Sequence, residues 1–271
     1  MTNAIFTVLN DEYLPLFKTF INSIKSNYPN HPTIYVACYK CNLYTGNYIR
    51  KLSNVVPISF REKTFGKKLV LQRYRLWDPC DLVQSDNILY LDIDVLVLKS
   101  LDDLFESNDF FIASNYDPHN SIRVISNDSD RTAVDSLLNR YYIRYPDGQH
   151  DMGNAGVFMI PKKYRTEMYF RKLIDFHNDF GKYAAYDDQS IISLWCHYFN
   201  IEIRSDRDSL KYNVQPSNYS VPGFDISLDE AKILHFSSPK KPGTEEFDKW
   251  NWVPEKQKDE IMKLYNFYKG Q

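Results

Sequence analysis

Apolar runs rich in β-branched residues, alternating with segments of helical period, most tightly limit how this chain can fold. "AIFTVL" (residues 4 to 9) leads into Leu14, Phe17, Phe20, Ile21 and Ile24, whose spacing is that of one helix face. "PTIYVACY" and "VVPISF" read as the next strands, bounded by Pro and Asn. A helix is expected over 67–77. "ILYLDIDVLVLKSLDDLF" (88 to 105) then opens as a strand with Asp92 and Asp94 in its middle. Strand and helix in repetition predict an α/β fold, with a mostly parallel central sheet flanked by helices in a Rossmann-like domain.

Farther along, "FFIAS" (110 to 114) and "NAGVFMI" (154 to 160) are strand candidates. The stretch between them, 115 to 152, is polar, with one helix expected near 132–142. Pro161 is expected to open a helix running to about 180, and "DDQSIISLWCHYF" to begin another. "AKILHF" (231 to 236) reads as a late strand, and Ile261, Leu264, Tyr265 and Tyr268 mark a closing amphipathic helix. With no repeat, low-complexity tract or linker, one domain over 1–271 is expected.

The two acids in an apolar strand raise a chemical question. A buried, unpaired carboxylate is costly enough that it takes up a proton or finds a cation. Residues i and i+2 of a strand face the same way, so Asp92 and Asp94 are expected to point together while Ile93 packs behind them. Ligands gather beyond the carboxyl ends of parallel strands. Two carboxylates there suit a hard divalent ion, Mn²⁺ or Mg²⁺, that keeps open positions for phosphate oxygens. Taken alone, the short motif fits equally a strand whose Asp residues cap neighbouring backbone.

Composition excludes some partners. With 33 Lys and Arg against 35 Asp and Glu, the chain lacks the basic excess that nucleic acid or an anionic membrane demands. No apolar run approaches the roughly 20 residues of a membrane span. The N-terminal run has no basic segment before it and is broken by Asn10, Asp11 and Glu12, so it reads as a first strand rather than a signal peptide. Cys38, Cys41, Cys80 and Cys196 make no disulfide framework, and the CxxC at 38–41 reads as reduced thiols at a strand end. A cytoplasmic location is expected.

Six segments, in order and spanning residues 4 to about 242, resemble family 8 of the retaining glycosyltransferases, the group that contains glycogenin and the lipooligosaccharide galactosyltransferases. "VLNDEY" (8 to 13) resembles the loop that holds the uridine, which implies that Leu9, Asn10 and Tyr13 bind the nucleoside side of the donor. "YRLW" places Arg75 seventeen positions before Asp92, where similar enzymes carry a basic residue on the donor sugar or phosphate. "YLDIDVLVLKSLDDLF" is similar to the metal motif, which assigns Asp92 and Asp94 to the ion and Asp92 and Ile93 to the donor. "GNAGVFMI" brings Asn154, Ala155 and Gly156 to the sugar. "DDQS" brings Asp188 and Gln189, the catalytic candidates. "HFSSPKKP" supplies His235 as third metal ligand, with Ser238 and Lys241 at the diphosphate.

These residue types also have a chemistry of their own. Small residues at 153, 155 and 156 let a ligand approach the backbone, and Asn154 offers both donor and acceptor to sugar hydroxyls. Asp187 suits a helix cap. A histidine nitrogen tilts the site toward Mn²⁺ over Mg²⁺, and Lys241 supplies a mobile point charge. Ser238 and Gly243 depart from the family, which has Gly and Trp there.

The resemblance implies a GT-A fold. It divides the domain into a nucleotide-binding half (1–94), a donor-sugar and acceptor half (95–245) and a C-terminal helix (246–271). It implies metal-dependent, retaining transfer of a hexose, glucose first, from a UDP-sugar to a hydroxyl. Galactose and N-acetylhexosamine are the alternative sugars; a DxD phosphatase and a non-catalytic sugar-binding descendant of the fold are the alternative classes. The acceptor, whether glycan, lipid-linked or protein, is left open, as is a homodimer. Tyr219 lies close to where glycogenin carries its self-glucosylated tyrosine, so self-transfer is a variant of this reading.

Overall fold

A computed structural model of the chain describes residues 1–59, 69–78, 84–115, 130–143, 153–184, 186–206, 209–237 and 253–271. Strands β1 (Asn3–Leu9), β2 (Thr33–Cys38), β3 (Val55–Ser59) and β4 (Asn87–Leu91) run parallel to one another, and helices α1 (Leu14–Asn27) and α2 (Leu43–Arg50) connect the first three. Beyond β4 come β6 (Phe110–Ala113), β7 (Asn154–Pro161) and β8 (Ile203–Arg204), which complete a sheet of order β3-β2-β1-β4-β7-β6-β8 among the described residues. Only β7 runs against its neighbours, so the sheet is mostly parallel, as the sequence pattern predicts.

Helices cover both faces, which is why the strands read as continuous apolar runs rather than alternating ones. Phe6, Ile88, Tyr90, Phe158 and Ile160 face a core with Trp77, α4 (Glu167–Phe180) and α5 (Asp187–Tyr198). Ile5, Leu9, Leu89, Leu91 and Met159 face another that includes Phe17, Phe20, Ile21 and Ile24 of α1. Helix α3 (Arg131–Arg140) lies within the expected 132–142 window but starts one residue earlier. Cys38, Cys41 and Cys196 are free thiols.

The structure departs from the sequence reading in four places. The strand opened by Ile88 ends at Leu91; after Asp92–Asp94 the chain starts a separate strand, β5 (Val95–Val97), in a two-stranded antiparallel sheet with β9 (Ile233–His235). Continuous apolar residues could not reveal that break, because both strands are fully buried. Pro161 closes β7 instead of opening a helix; a 3-10 turn (Lys162–Tyr164) intervenes before α4 begins. The described part of the expected helix 67–77 is 3-10, over Leu69–Trp77. The short β8 carries no clear strand signature.

Helix α6 (Glu255–Lys269) packs Ile261, Tyr265 and Tyr268 on a third core cluster with Leu96, Val214, Leu234 and Phe236. That cluster lies under the β5–β9 sheet and fixes where Asp94 and His235 stand.

Candidate active site

Asp92 and Asp94 converge on His235, and one donor atom from each lies within 4.8 Å of the others. The β5–β9 pairing does this: Val95 lies opposite His235, and Phe236 N donates to Asp94 O at 2.9 Å. Asp92 is fixed from the other side, where its N donates to Gly156 O at 2.8 Å. His235 Nε2 stands 3.4 Å from Asp94 Oδ1 and 4.0 Å from Asp92 Oδ2. Its Nδ1 contacts Asn213 Oδ1 at 2.8 Å.

This geometry fits a cation. Two carboxylates and an imidazole nitrogen face one another with little solvent, the histidine being 2% exposed. The charge of a divalent ion would balance such a set. Gly156 keeps the space open: a Cβ there would sit 2.4 Å from His235 Cε1 and 2.6 Å from Asp92 Oδ2. Two carboxylate oxygens and an imidazole nitrogen make a donor set that could hold a divalent cation.

Asp92 uses its other oxygen to hold itself in place. Oδ1 accepts from Tyr90 OH at 2.6 Å and from an Arg73 terminal nitrogen at 3.1 Å. Arg73 is buried; it donates to Ala155 O at 2.7 Å, pairs with Asp188 Oδ2 at 2.9 Å and lies over the Tyr90 ring. Burial pushes the Asp188 carboxyl up to about 6, with Arg73 opposing and Asp92 reinforcing the shift. Arg73 is thus a central cation that sequence reasoning missed. Its neighbours three and four positions away, Val70, Leu76, Leu69 and Trp77, are all apolar, and that was the available signal. Arg75, the residue singled out instead, donates from Nε to Gln72 at 3.0 Å.

The sugar-side candidates also converge. Asn154 Oδ1 accepts from Gly156 N at 2.7 Å, and Gln189 Oε1 accepts from Ala155 N at 3.3 Å. Asp187 opens α5 with φ of 43°, a strained value for a non-glycine residue, immediately before Asp188. On the nucleoside side, Leu9 ends β1 fully buried, and Asn10 caps the next turn by accepting from Tyr13 N at 3.2 Å. Ile93 is buried with the α1-side core, as expected. Ser238 and Lys241 lie outside the described residues. Tyr219 is not presented: its hydroxyl is buried without a hydrogen-bond partner among the described residues, and its ring packs on Phe224 in the cluster under α6.

A parallel-dominated sheet thus carries an acid pair, a histidine and an amide-rich wall at its strand ends. Residues 4–246 match the model for glycosyl transferase family 8, and the chain belongs to that family. Glycosyltransferase GlyA of Streptococcus pneumoniae serotype 4 is 29% identical over 163 residues, 60% of this chain but only 20% of that protein's length. The fold is similar to that of galactosyltransferase LgtC in complex with donor and acceptor sugar analogs, with a TM-score of 0.68 at 17% identity over 97% of this chain and 95% of that one. It is also similar to glycosyltransferase GlyE of Streptococcus pneumoniae TIGR4, with a TM-score of 0.63 at 23% identity over 93% of this chain and 61% of that one. The family match decides against the phosphatase alternative.

Proposed function

We propose that this protein is a metal-dependent, retaining hexosyltransferase that moves glucose from a UDP-sugar to a hydroxyl on an external acceptor. The observation that carries the reading is the convergence of Asp92, Asp94 and His235 Nε2 on one point held open by Gly156. These three residues would hold Mn²⁺, with Mg²⁺ as the alternative ion. When bound, the ion supplies Lewis-acid neutralisation of the charge that builds on the departing diphosphate.

The chain's own residues do the rest. Leu9, Asn10, Tyr13 and Ile93 are assigned to the donor, Asn10 and Tyr13 to its nucleoside, and Arg75, Ser238 and Lys241 to the diphosphate, where their charge or donors favour the leaving group. Asn154, Ala155 and Gly156 receive the hexose. Arg73 engages Asp188, which makes that carboxylate a positioning group rather than a free nucleophile. Gln189 commits its carbonyl oxygen to Ala155 N, which leaves its amide NH₂ to face the sugar. With no strong nucleophile assigned beneath the ring among the described residues, attack from the front face is favoured. The acceptor oxygen bonds to the anomeric carbon as the bond to the phosphate oxygen breaks, and the acceptor's proton passes to that leaving oxygen.

Strands on both sides of residue 94 share one sheet, which supports a single domain with its nucleotide half at 1–94, its donor and acceptor half at 95–245 and a C-terminal helix at 246–271. Among the described residues no helix is long and apolar enough to cross a membrane. The proposed setting is the cytoplasm, with a glycan, lipid-linked or protein acceptor. The inward-turned Tyr219 hydroxyl favours an external acceptor over self-transfer.

The test is UDP release from a panel of UDP-sugars with Mn²⁺, comparing wild type with Asp94→Asn. Release from one donor, abolished by EDTA and reduced at least about 100-fold by the substitution, is expected; a galactose or N-acetylhexosamine donor would rename the sugar. No release from any donor, with UDP binding that Mn²⁺ does not tighten, would sink the reading.

A further inference from the structure

We propose that Asn213 is a positioning residue for the metal ligand: its amide fixes the proton of His235 on Nδ1 and so presents the Nε2 lone pair to Asp92 and Asp94. This rests on the metal reading given above and extends it to a residue outside the ligand set.

The orientation of the Asn213 amide follows from its surroundings. Asn213 is 3% exposed and His235 2%, so neither group can turn to water for a partner. Asn213 Nδ2 lies 2.9 Å from Ser114 O, a backbone carbonyl that can only accept. The amide nitrogen must therefore face Ser114, and it lies also 3.0 Å from Asn115 Oδ1. Flipping the amide would set oxygen against oxygen at Ser114. What remains for His235 is Oδ1, at 2.8 Å, which can only accept. The imidazole must then donate from Nδ1. In the neutral ring Nε2 is consequently the bare nitrogen, and it points at the carboxylates 3.4 and 4.0 Å away.

The same contact sets the ring's rotation. Asn213 precedes Val214, whose O accepts from His235 N at 2.8 Å, so backbone and side chain of one segment clamp one histidine. Asn115 extends the clamp across the site. Its Oδ1 takes donors from Asn213, Asn154 and Gln215 at 3.0, 3.1 and 3.2 Å. The histidine and the sugar-side strand β7 are thereby referred to one amide. Outer partners of this kind tune metal affinity by about 10–100-fold.

Two measurements on the full chain test this. The first is ¹⁵N NMR of the metal-free protein, with the His235 signals assigned from His235→Gln. A proton on Nδ1 is expected, and an unprotonated Nδ1 with its proton on Nε2 overturns the inference without any change to Asn213. The second is Mn²⁺ affinity by EPR for wild type, His235→Ala, Asn213→Leu and Asn213→Asp, with metal-free UDP affinity and melting temperature alongside. Asn213→Asp keeps the acceptor for Nδ1 but loses the donor to Ser114, whereas Asn213→Leu loses both. Asn213→Leu is expected to weaken Mn²⁺ binding by about 10–100-fold, and Asn213→Asp to bind markedly tighter than Asn213→Leu while UDP affinity holds in both. Equal affinities in the two variants would mean that Asn213 only supports the fold, which overturns the inference and leaves the metal reading standing. A wild type that ignores Mn²⁺, or a His235→Ala variant that binds as wild type does, removes the metal reading and this inference together.

Discussion

Gly156 is the residue at which backbone and metal site meet. A methyl there would lie within 2.4–2.8 Å of His235, Asp92 and Asn154, and the carboxylate is held by Tyr90 and Arg73 and cannot swing away. Gly156→Ala should cost about 1–3 kcal/mol of stability and remove Mn²⁺ binding, read by thermal melts and EPR; unchanged Mn²⁺ affinity would show that the ion binds elsewhere. Arg73 makes a second case. Removing a buried cation strands Asp92 and Asp188, so Arg73→Met should lose about 3–5 kcal/mol, partly recovered in urea melts when Asp188→Asn is added. Asp188 also carries a pH signature. Its carboxyl titrates near 6 in the fold against 3.8 ordinarily, so it holds a proton more tightly when folded. Its stabilising contribution is complete below about pH 4 and lost as pH rises through about 6. The melting temperature of Asp188→Asn, which cannot ionise, should rise relative to wild type by a margin that grows from about pH 4 to about pH 7 in metal-free buffer. A margin that shrinks would put the carboxyl below its ordinary value. At this scale the sequence showed the three converging residues better than their supports. Asp92 and Asp94 stand out as acids inside an apolar run, and His235 through its resemblance. Asn213 and Arg73 act through contacts with Ser114 and Ala155, 99 and 82 residues away, and no local pattern records those.

Among elements, the 3-10 segment Leu69–Trp77 carries Arg73 to the site, and Trp77 is its anchor. Trp77 is fully buried, with its ring 5.4 Å from Trp195, 5.5 Å from Phe158 and 6.5 Å from Phe110. Trp77→Ala should destabilise by about 3–5 kcal/mol. It should also release Arg73 from Ala155, so UDP release should fall by more than the loss of folded protein explains. Activity per folded molecule equal to wild type would uncouple the anchor from the site. The type of most elements was legible because 3.6-residue and continuous apolar patterns follow directly from burial of one helix face or both sheet faces. What stayed hidden was decided by partners. β4 and β5 form one apolar run in sequence, yet they join different sheets because β9 recruits the second. Pro161 suits the first turn of a helix, but as the last residue of β7 it lies opposite Asn87.

Over the whole molecule, the chain's end supports its chemistry. Asn27 of α1 donates to Val97 O at 2.9 Å and to Tyr268 OH at 2.7 Å, and Asn22 donates to Tyr268 O at 2.8 Å. Helix α6 is thereby fastened to α1 and β5 together. Its inner face then covers Leu234 and Phe236, the two residues that flank His235, with the Tyr265 ring edge-on to Phe236 at 6.0 Å. Residues on either side of a ligand in a strand point away from it, so packing on Leu234 and Phe236 presses His235 toward the acids. Tyr265→Ala should therefore do two things at once. It should cost on the order of 3 kcal/mol through the cavity it leaves, and it should weaken Mn²⁺ binding while metal-free UDP binding, which draws on β1 and its loop, holds. Phe267→Ala on the solvent side, where the ring is 58% exposed, should change neither by more than about 0.5 kcal/mol. If Tyr265→Ala melts early but binds Mn²⁺ as wild type does, α6 is a stabilising layer only, and His235 is placed by the β5–β9 pairing and Asn213 without its help.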